Sequence, residues 1–185
     1  MIIRKKNLLL FIIITSILII MNFKTLLGFI FPIEYENYIL EYSAKYNVDP
    51  YLVTAVISNE SKFNERALSS KGAYGLMQIM PDTGEWISKY VGIKTFSYDI
   101  LYNPEVNIKM GCWYINNLSK EFNGELDLVL AAYNGGRGNV NKWLANIEYS
   151  KDGKKLDKIP FKETDNYIKK VKLSYKIYKL LYNIK

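Results

Sequence analysis

The sequence predicts a mainly α domain behind an apolar amino-terminal segment. Three observations predict it. Apolar residues recur at three- and four-residue steps through most of the chain. A capping residue followed by proline occurs twice, at Asp49–Pro50 and Asn103–Pro104. No strand-type alternation persists over any stretch, and no internal repeat is visible. With 185 residues, 49% hydrophobic and 23% charged, the chain has room for one compact domain and is too apolar for disorder.

The first segment carries Arg4, Lys5 and Lys6 ahead of the apolar run Leu8–Met21, and apolar character resumes from Leu26 to Phe31. Positive charge before an apolar core marks a signal peptide or signal anchor. No small-x-small cleavage site follows, so residues 1–31 read as an uncleaved transmembrane anchor with the domain, residues 34–185, outside.

Glu34–Tyr46 makes the first helix of the domain, with Tyr35, Tyr38, Ile39 and Tyr42 on one face. Asp49 caps the next, Pro50–Glu60, where Leu52, Val53, Val56 and Glu60 share a face. Ser61–Lys71 is polar and turn-rich. Gly72 and Gly75 then bracket a turn, and Leu76, Met77, Ile79 and Met80 surround a lone amide, Gln78. Pro81 opens a helix that Gly92 ends. Asn103 caps the longest helix expected in the domain, to about Phe122. Asp127 is expected to cap a short helix, Leu128–Tyr133. Asn134–Gly138 reads as a tight loop and Val140–Ala145 as another short helix. After the polar stretch Tyr149–Lys158, Thr164 is expected to cap a final helix with a tyrosine-rich inner face and a lysine-rich outer face.

Composition narrows the chemistry. There is no histidine, and the one cysteine, Cys112, lies in an apolar helical run and reads as a buried structural thiol. Acid–base work therefore falls to Asp, Glu, Lys or Tyr. A net charge of +7 suits an anionic partner, but no nucleic-acid motif is present. Glu60 is the candidate acid. On an apolar helix face, at the negative end of the helix dipole, its pKa is raised. Spacing alone leaves this open against a frayed helix end with the carboxylate in water.

The stretch Glu60–Pro81, ESKFNERALSSKGAYGLMQIMP, resembles the signature of lytic transglycosylases of the soluble-transglycosylase type. Glu60 and Ser61, Ser69, and the run Gly72–Pro81 carry the match. Ala131-Ala132-Tyr133-Asn134-Gly135-Gly136 resembles the family's second signature. Ile159-Pro160, Glu163-Thr164 and Tyr167 resemble its third. The second glycine, Gly136, and Asn166, where the family often has Gly, are departures.

The resemblance implies a lysozyme-like fold and a peptidoglycan lytic transglycosylase. Such enzymes cut the β-1,4 bond between N-acetylmuramic acid and N-acetylglucosamine and leave a 1,6-anhydro ring. Glu60 would be the catalytic residue. Ser69, Met77, Gln78, Met80, Tyr133, Asn134, Glu163 and Tyr167 would contact or surround the sugars. No metal or cofactor is expected. The expected partners are glycan strands and, through the anchor, the membrane, with the domain extracytoplasmic. A hydrolytic muramidase and a non-catalytic peptidoglycan-binding scaffold are the alternatives.

Overall fold

The computed structural model describes residues 2–183, so the ends of the expected segments at Met1 and Lys185 lie outside it. The chain divides into two compact units, Met1–Pro32 and Ile33–Lys185. The first holds α1 (Ile2–Met21) and α2 (Phe23–Ile30), separated at Asn22. Among the described residues no helix is long and apolar enough to cross a membrane. This departs from the expected transmembrane anchor. Arg4, Lys5 and Lys6 fall within α1, which leaves Leu8–Met21 as its uncharged apolar run, short of the about 20 residues a span requires. The turn at Asn22 then separates that run from the eight residues of α2.

The second unit is helical. Its elements are α3 (Glu36–Tyr46), α4 (Pro50–Glu60), α5 (Pro81–Val91), α6 (Pro104–Glu121), α7 (Leu126–Gly135), α8 (Arg137–Leu144) and α9 (Lys162–Leu181), with a 3-10 turn at Tyr98–Tyr102. Among the described residues there is no named strand; isolated bridges pair Leu68 with Tyr74 and Tyr74 with Ile79. Helix α4 packs along α9, α3 along α6, and α7 lies against α6, α8 and α9. Leu128, Val129, Leu130, Ala131 and Ala132 of α7 are all buried. Five successive buried residues go right round the helix, so this part of α7 lies inside the core.

The two cap-and-proline signals act as expected. Asp49 Oδ1 accepts from Tyr51 N at 2.8 Å, and Asn103 Oδ1 accepts from Val106 N at 3.0 Å. Two other expected caps do not. Helix α7 starts after Glu125, and Asp127 instead pairs with Lys172 Nζ at 2.6 Å. Helix α9 starts after Phe161, and Thr164, within its first turn, is buried and donates to Asn134 Oδ1 at 2.9 Å. The expected tight loop is shorter than its glycines suggest. α7 continues through Gly135, and Gly136, at φ 87°, alone separates it from α8. The longest helix of this unit is α9, at 20 residues, against 18 for α6.

Cys112 is fully buried, and burial pushes its thiol up to about 12. One polar residue of α6 organises the core beneath the motif loop. Asn107 is 0% exposed; it accepts from Met77 N at 2.7 Å and donates to Leu101 O at 2.7 Å and Tyr74 O at 3.0 Å. Gly75 lies against the same group at φ +71°. A Cβ there would come within 2.2 Å of Leu101 O, so the close approach requires glycine.

Candidate active site

Glu60 is the last residue of α4. The helix stops there because the chain turns through two left-handed residues, Lys62 (φ 53°) and Phe63 (φ 63°). Such angles in non-glycine residues hold only where packing enforces them. Phe63, 5% exposed, supplies that packing. From this turn the chain runs through Ser69, where Ser69 Oγ accepts from Ala73 N at 2.9 Å. It then reaches a third left-handed non-glycine residue, Gln78 (φ 49°), whose Nε2 donates to Gly75 O at 2.9 Å.

Three clefts adjoin through shared side chains. One, of about 540 Å³, is lined by Glu60, Ser69 and Gln78 among others. A second, of about 300 Å³, is lined by Glu60, Asn134, Glu163 and Tyr167, with Asn59, Asn166 and Lys170. A third, of about 250 Å³, is lined by Gln78, Met80, Tyr133 and Asn134, with Thr83 and Tyr114. Glu60 belongs to the first two, Gln78 joins the first to the third, and Asn134 joins the second to the third. Residues from three distant stretches of the sequence thus converge on one carboxyl.

Burial pushes the Glu60 carboxyl up to about 7. The Tyr167 hydroxyl opposes the shift, and the negative charge of Glu163 adds to it. Tyr167 Oη is itself buried and makes no hydrogen bond of full geometry. Near neutral pH the Glu60 carboxyl can therefore both give and take a proton. The Tyr133 hydroxyl, also buried, donates to Met77 O at 2.7 Å and fixes that ring against the motif loop. Glu163 stands at the rim, where Lys71 Nζ lies 2.8 Å from one of its carboxylate oxygens.

Of the residues singled out in the sequence, Met77 alone does not reach the clefts. It is 0% exposed and packs against Gly111, where a Cβ would meet its Sδ at 2.1 Å. Its backbone, not its side chain, serves the site by accepting from Tyr133. Met80, in contrast, is 43% exposed at the rim. Sequence reasoning missed Asn59, Lys71, Lys170 and Tyr114. Asn59 carried a signal in its position beside Glu60; its Nδ2 donates to Ser174 Oγ at 2.9 Å and ties α4 to α9. Lys71 carried none, because its partner is distant in sequence. Among the described residues no group of three or more His, Cys, Asp or Glu side chains is placed to share a metal ion.

A helical domain with one sheltered carboxyl shared by two of three adjoining clefts fits a lysozyme-like fold. Residues 37–156 match the family model described as Transglycosylase SLT domain, and the chain belongs to that family. It is similar to the soluble lytic murein transglycosylase of Escherichia coli strain K12, 35% identical over 150 residues, 80% of this chain and 23% of that protein. It is also similar to the membrane-bound lytic murein transglycosylase E of Buchnera aphidicola, 37% identical over 136 residues, 69% of this chain and 64% of that protein. Among solved structures, the lytic transglycosylase Slt of Pseudomonas aeruginosa, as an inactive mutant, superposes with a TM-score of 0.71 at 31% identity, over 84% of this chain and 25% of that one. The 70-kDa soluble lytic transglycosylase in complex with bulgecin A gives 0.72 at 30% identity, over 81% of this chain and 25% of that one. The chain spans about a quarter of the length of these soluble relatives.

Proposed function

We propose that this chain is a peptidoglycan lytic transglycosylase. One observation carries the reading. A carboxyl with a pKa near 7 sits where the clefts join, and the other carboxylate lining its cleft, Glu163, is paired with a lysine. Most glycosidases divide the work between two carboxylates. Here a single one does both parts. Glu60, protonated, gives its proton to the oxygen leaving the muramyl anomeric carbon. The substrate's acetamido group relieves the positive charge at that carbon. Glu60, now ionised, takes the proton of the muramyl 6-hydroxyl as that oxygen closes the 1,6-anhydro ring. Atoms balance without water.

The neighbours support this cycle. The Tyr167 hydroxyl lowers the Glu60 pKa, and the Glu60 charge in turn raises the pKa of both Tyr167 and Tyr133. Ser69, Gln78 and Asn134 hold polar atoms along the cleft walls, and Met80 forms an apolar edge. Glu163 would release Lys71 to bond a sugar hydroxyl or acetamido group.

The test is the mass of the product. Glycan strands treated with the protein should end in anhydromuramyl residues, lighter by one water than reducing ends. Reducing ends alone would make the protein a muramidase. Strands bound but never cut would make it a scaffold.

The amino-terminal unit is read as a membrane attachment that leaves the domain extracytoplasmic. Its support is the apolar side chains of α1 and α2 that face solvent, among them Phe11, Ile17, Leu18, Phe29 and Ile30. Fractionation of cells expressing the full chain tests it; recovery wholly outside the membrane fraction overturns it.

A further inference from the structure

We infer that a row of aromatic rings leading out of the Glu60 cleft is a distal sugar platform, which holds glycan residues beyond those next to the cut. The inference rests on the reading of the cleft as a peptidoglycan site. The row starts at Tyr133, whose ring lies 5.5 Å from that of Tyr114. Tyr114 lies 6.2 Å from Trp86, and Trp86 lies 5.1 Å from Trp113. Trp113 stacks on Tyr90 at 5.0 Å, with the planes 20° apart. Helix α5 supplies Trp86 and Tyr90 one turn apart; α6 supplies Trp113 and Tyr114.

Tyr133 is anchored by its buried hydroxyl, and the four rings beyond it reach the surface. Tyr90 is 60% exposed, and Trp86, Trp113 and Tyr114 are half-buried. Their mutual edge-to-face and stacked contacts hold them in place before any ligand arrives, which lowers the ordering cost of binding. Arg137 adds to this. Its guanidinium lies 5.8 Å from the centre of the Trp86 ring, and its Nε is 3.0 Å from Glu121 Oε2.

Two features select a glycan as the occupant. The first is continuity. Tyr133 and Tyr114 line the third cleft, of about 250 Å³, which adjoins the two Glu60 clefts through Gln78 and Asn134, so a polymer that extends from Glu60 into it meets the row. The second is chemistry. The row offers flat rings with hydroxyl and indole N–H groups at their edges. Sugars present C–H faces and hydroxyls to match.

The experiment uses the full chain carrying Glu60→Gln, so that strands bind without being cut. Dissociation constants are measured for a peptidoglycan tetrasaccharide and octasaccharide. The octasaccharide should bind at least about tenfold tighter, a difference of about 1.4 kcal/mol. Adding Tyr90→Ala should remove most of that advantage, whereas Ile147→Ala, an exposed apolar side chain outside the row, should not. Tyrosine 90 is exposed enough that its removal leaves the fold intact, checked by far-ultraviolet circular dichroism. Tryptophan emission supplies a second readout. Of the three tryptophans, Trp143 is 6% exposed and shielded from an added quencher, so protection from acrylamide quenching by the octasaccharide reports Trp86 and Trp113. An octasaccharide advantage that survives Tyr90→Ala overturns the platform alone. So does self-association of the parent chain that Tyr90→Ala abolishes, because the row would then be an interface between copies. Failure of both strands to bind overturns the reading of the cleft, and the platform with it.

Discussion

Lys71 Nζ lies 2.9 Å and 2.8 Å from the two carboxylate oxygens of Glu163, so one ion pair ties the loop after α4 to the first turn of α9. Both side chains are about 70% exposed, and the pair adds little to stability. Its effect is electrostatic. The Lys71 ammonium faces the Glu163 carboxylate, whose negative charge pushes the Glu60 pKa upward. Lys71→Met should therefore raise that pKa further and carry the alkaline limb of the pH–rate profile to higher pH, with the urea midpoint nearly unmoved. A limb that stays put or moves to lower pH counts against this coupling.

Glu60→Gln keeps the shape of the acid and removes its proton. Glycan cleavage should fall about 100-fold or more, with the circular dichroism spectrum of the parent. Undiminished turnover would refute the assignment.

The same substitution has a signature in stability. The folded pKa of about 7 lies above the ordinary 4.5, so the native state holds the proton more tightly than the unfolded chain. That stabilisation is complete below about pH 4.5 and is lost as pH rises to about 7. Wild type should therefore lose on the order of 3 kcal/mol relative to Glu60→Gln across this window. Urea melts at pH 4.5, 6 and 8 measure it, and parallel curves would show that burial does not shift the carboxyl.

Two tyrosines near Glu60 should part company as phenylalanines. Tyr133→Phe removes the 2.7 Å bond to Met77 O and should cost about 1–2 kcal/mol in urea melts. The hydroxyl of Tyr167 makes no full hydrogen bond, so Tyr167→Phe should leave stability nearly unchanged at about pH 5, where Glu60 is protonated. It removes the group that lowers the Glu60 pKa, and so should move the alkaline limb upward. The opposite pattern would exchange their roles.

Asn107→Ala removes three hydrogen bonds from a fully buried side chain and takes the partner from Met77 N and Leu101 O, while Tyr74 O still accepts from Ile79 N at 3.0 Å. Stability should fall by about 3 kcal/mol or more. Asn107→Asp should be no better, because a carboxylate cannot donate to Tyr74 O and Leu101 O. A variant as stable as wild type would show that the motif loop is held elsewhere.

The helix starts at Pro50 and Pro104 were legible because a cap and a proline act on the next few backbone groups. Asp127 and Thr164 misled for the converse reason. They are capping types, but Lys172 and Asn134, far along the chain, claim their side chains. Met77 misled because Leu76–Met80 has no period that separates inward from outward. The left-handed turn at Gln78 sends Met77 under Gly111 and leaves Met80 at the rim.

The order of the elements, the helical class and the identity of the candidate acid are written in the sequence, since each depends on neighbours within about one helical turn or on a contiguous motif. Whether Glu60 holds a proton near neutral pH was decided only by tertiary structure. Burial raises its pKa most, and Tyr167 and Glu163, about a hundred positions along the chain, act on it through space. Desolvation and Coulomb interactions act through space, and the sequence orders residues only along the chain.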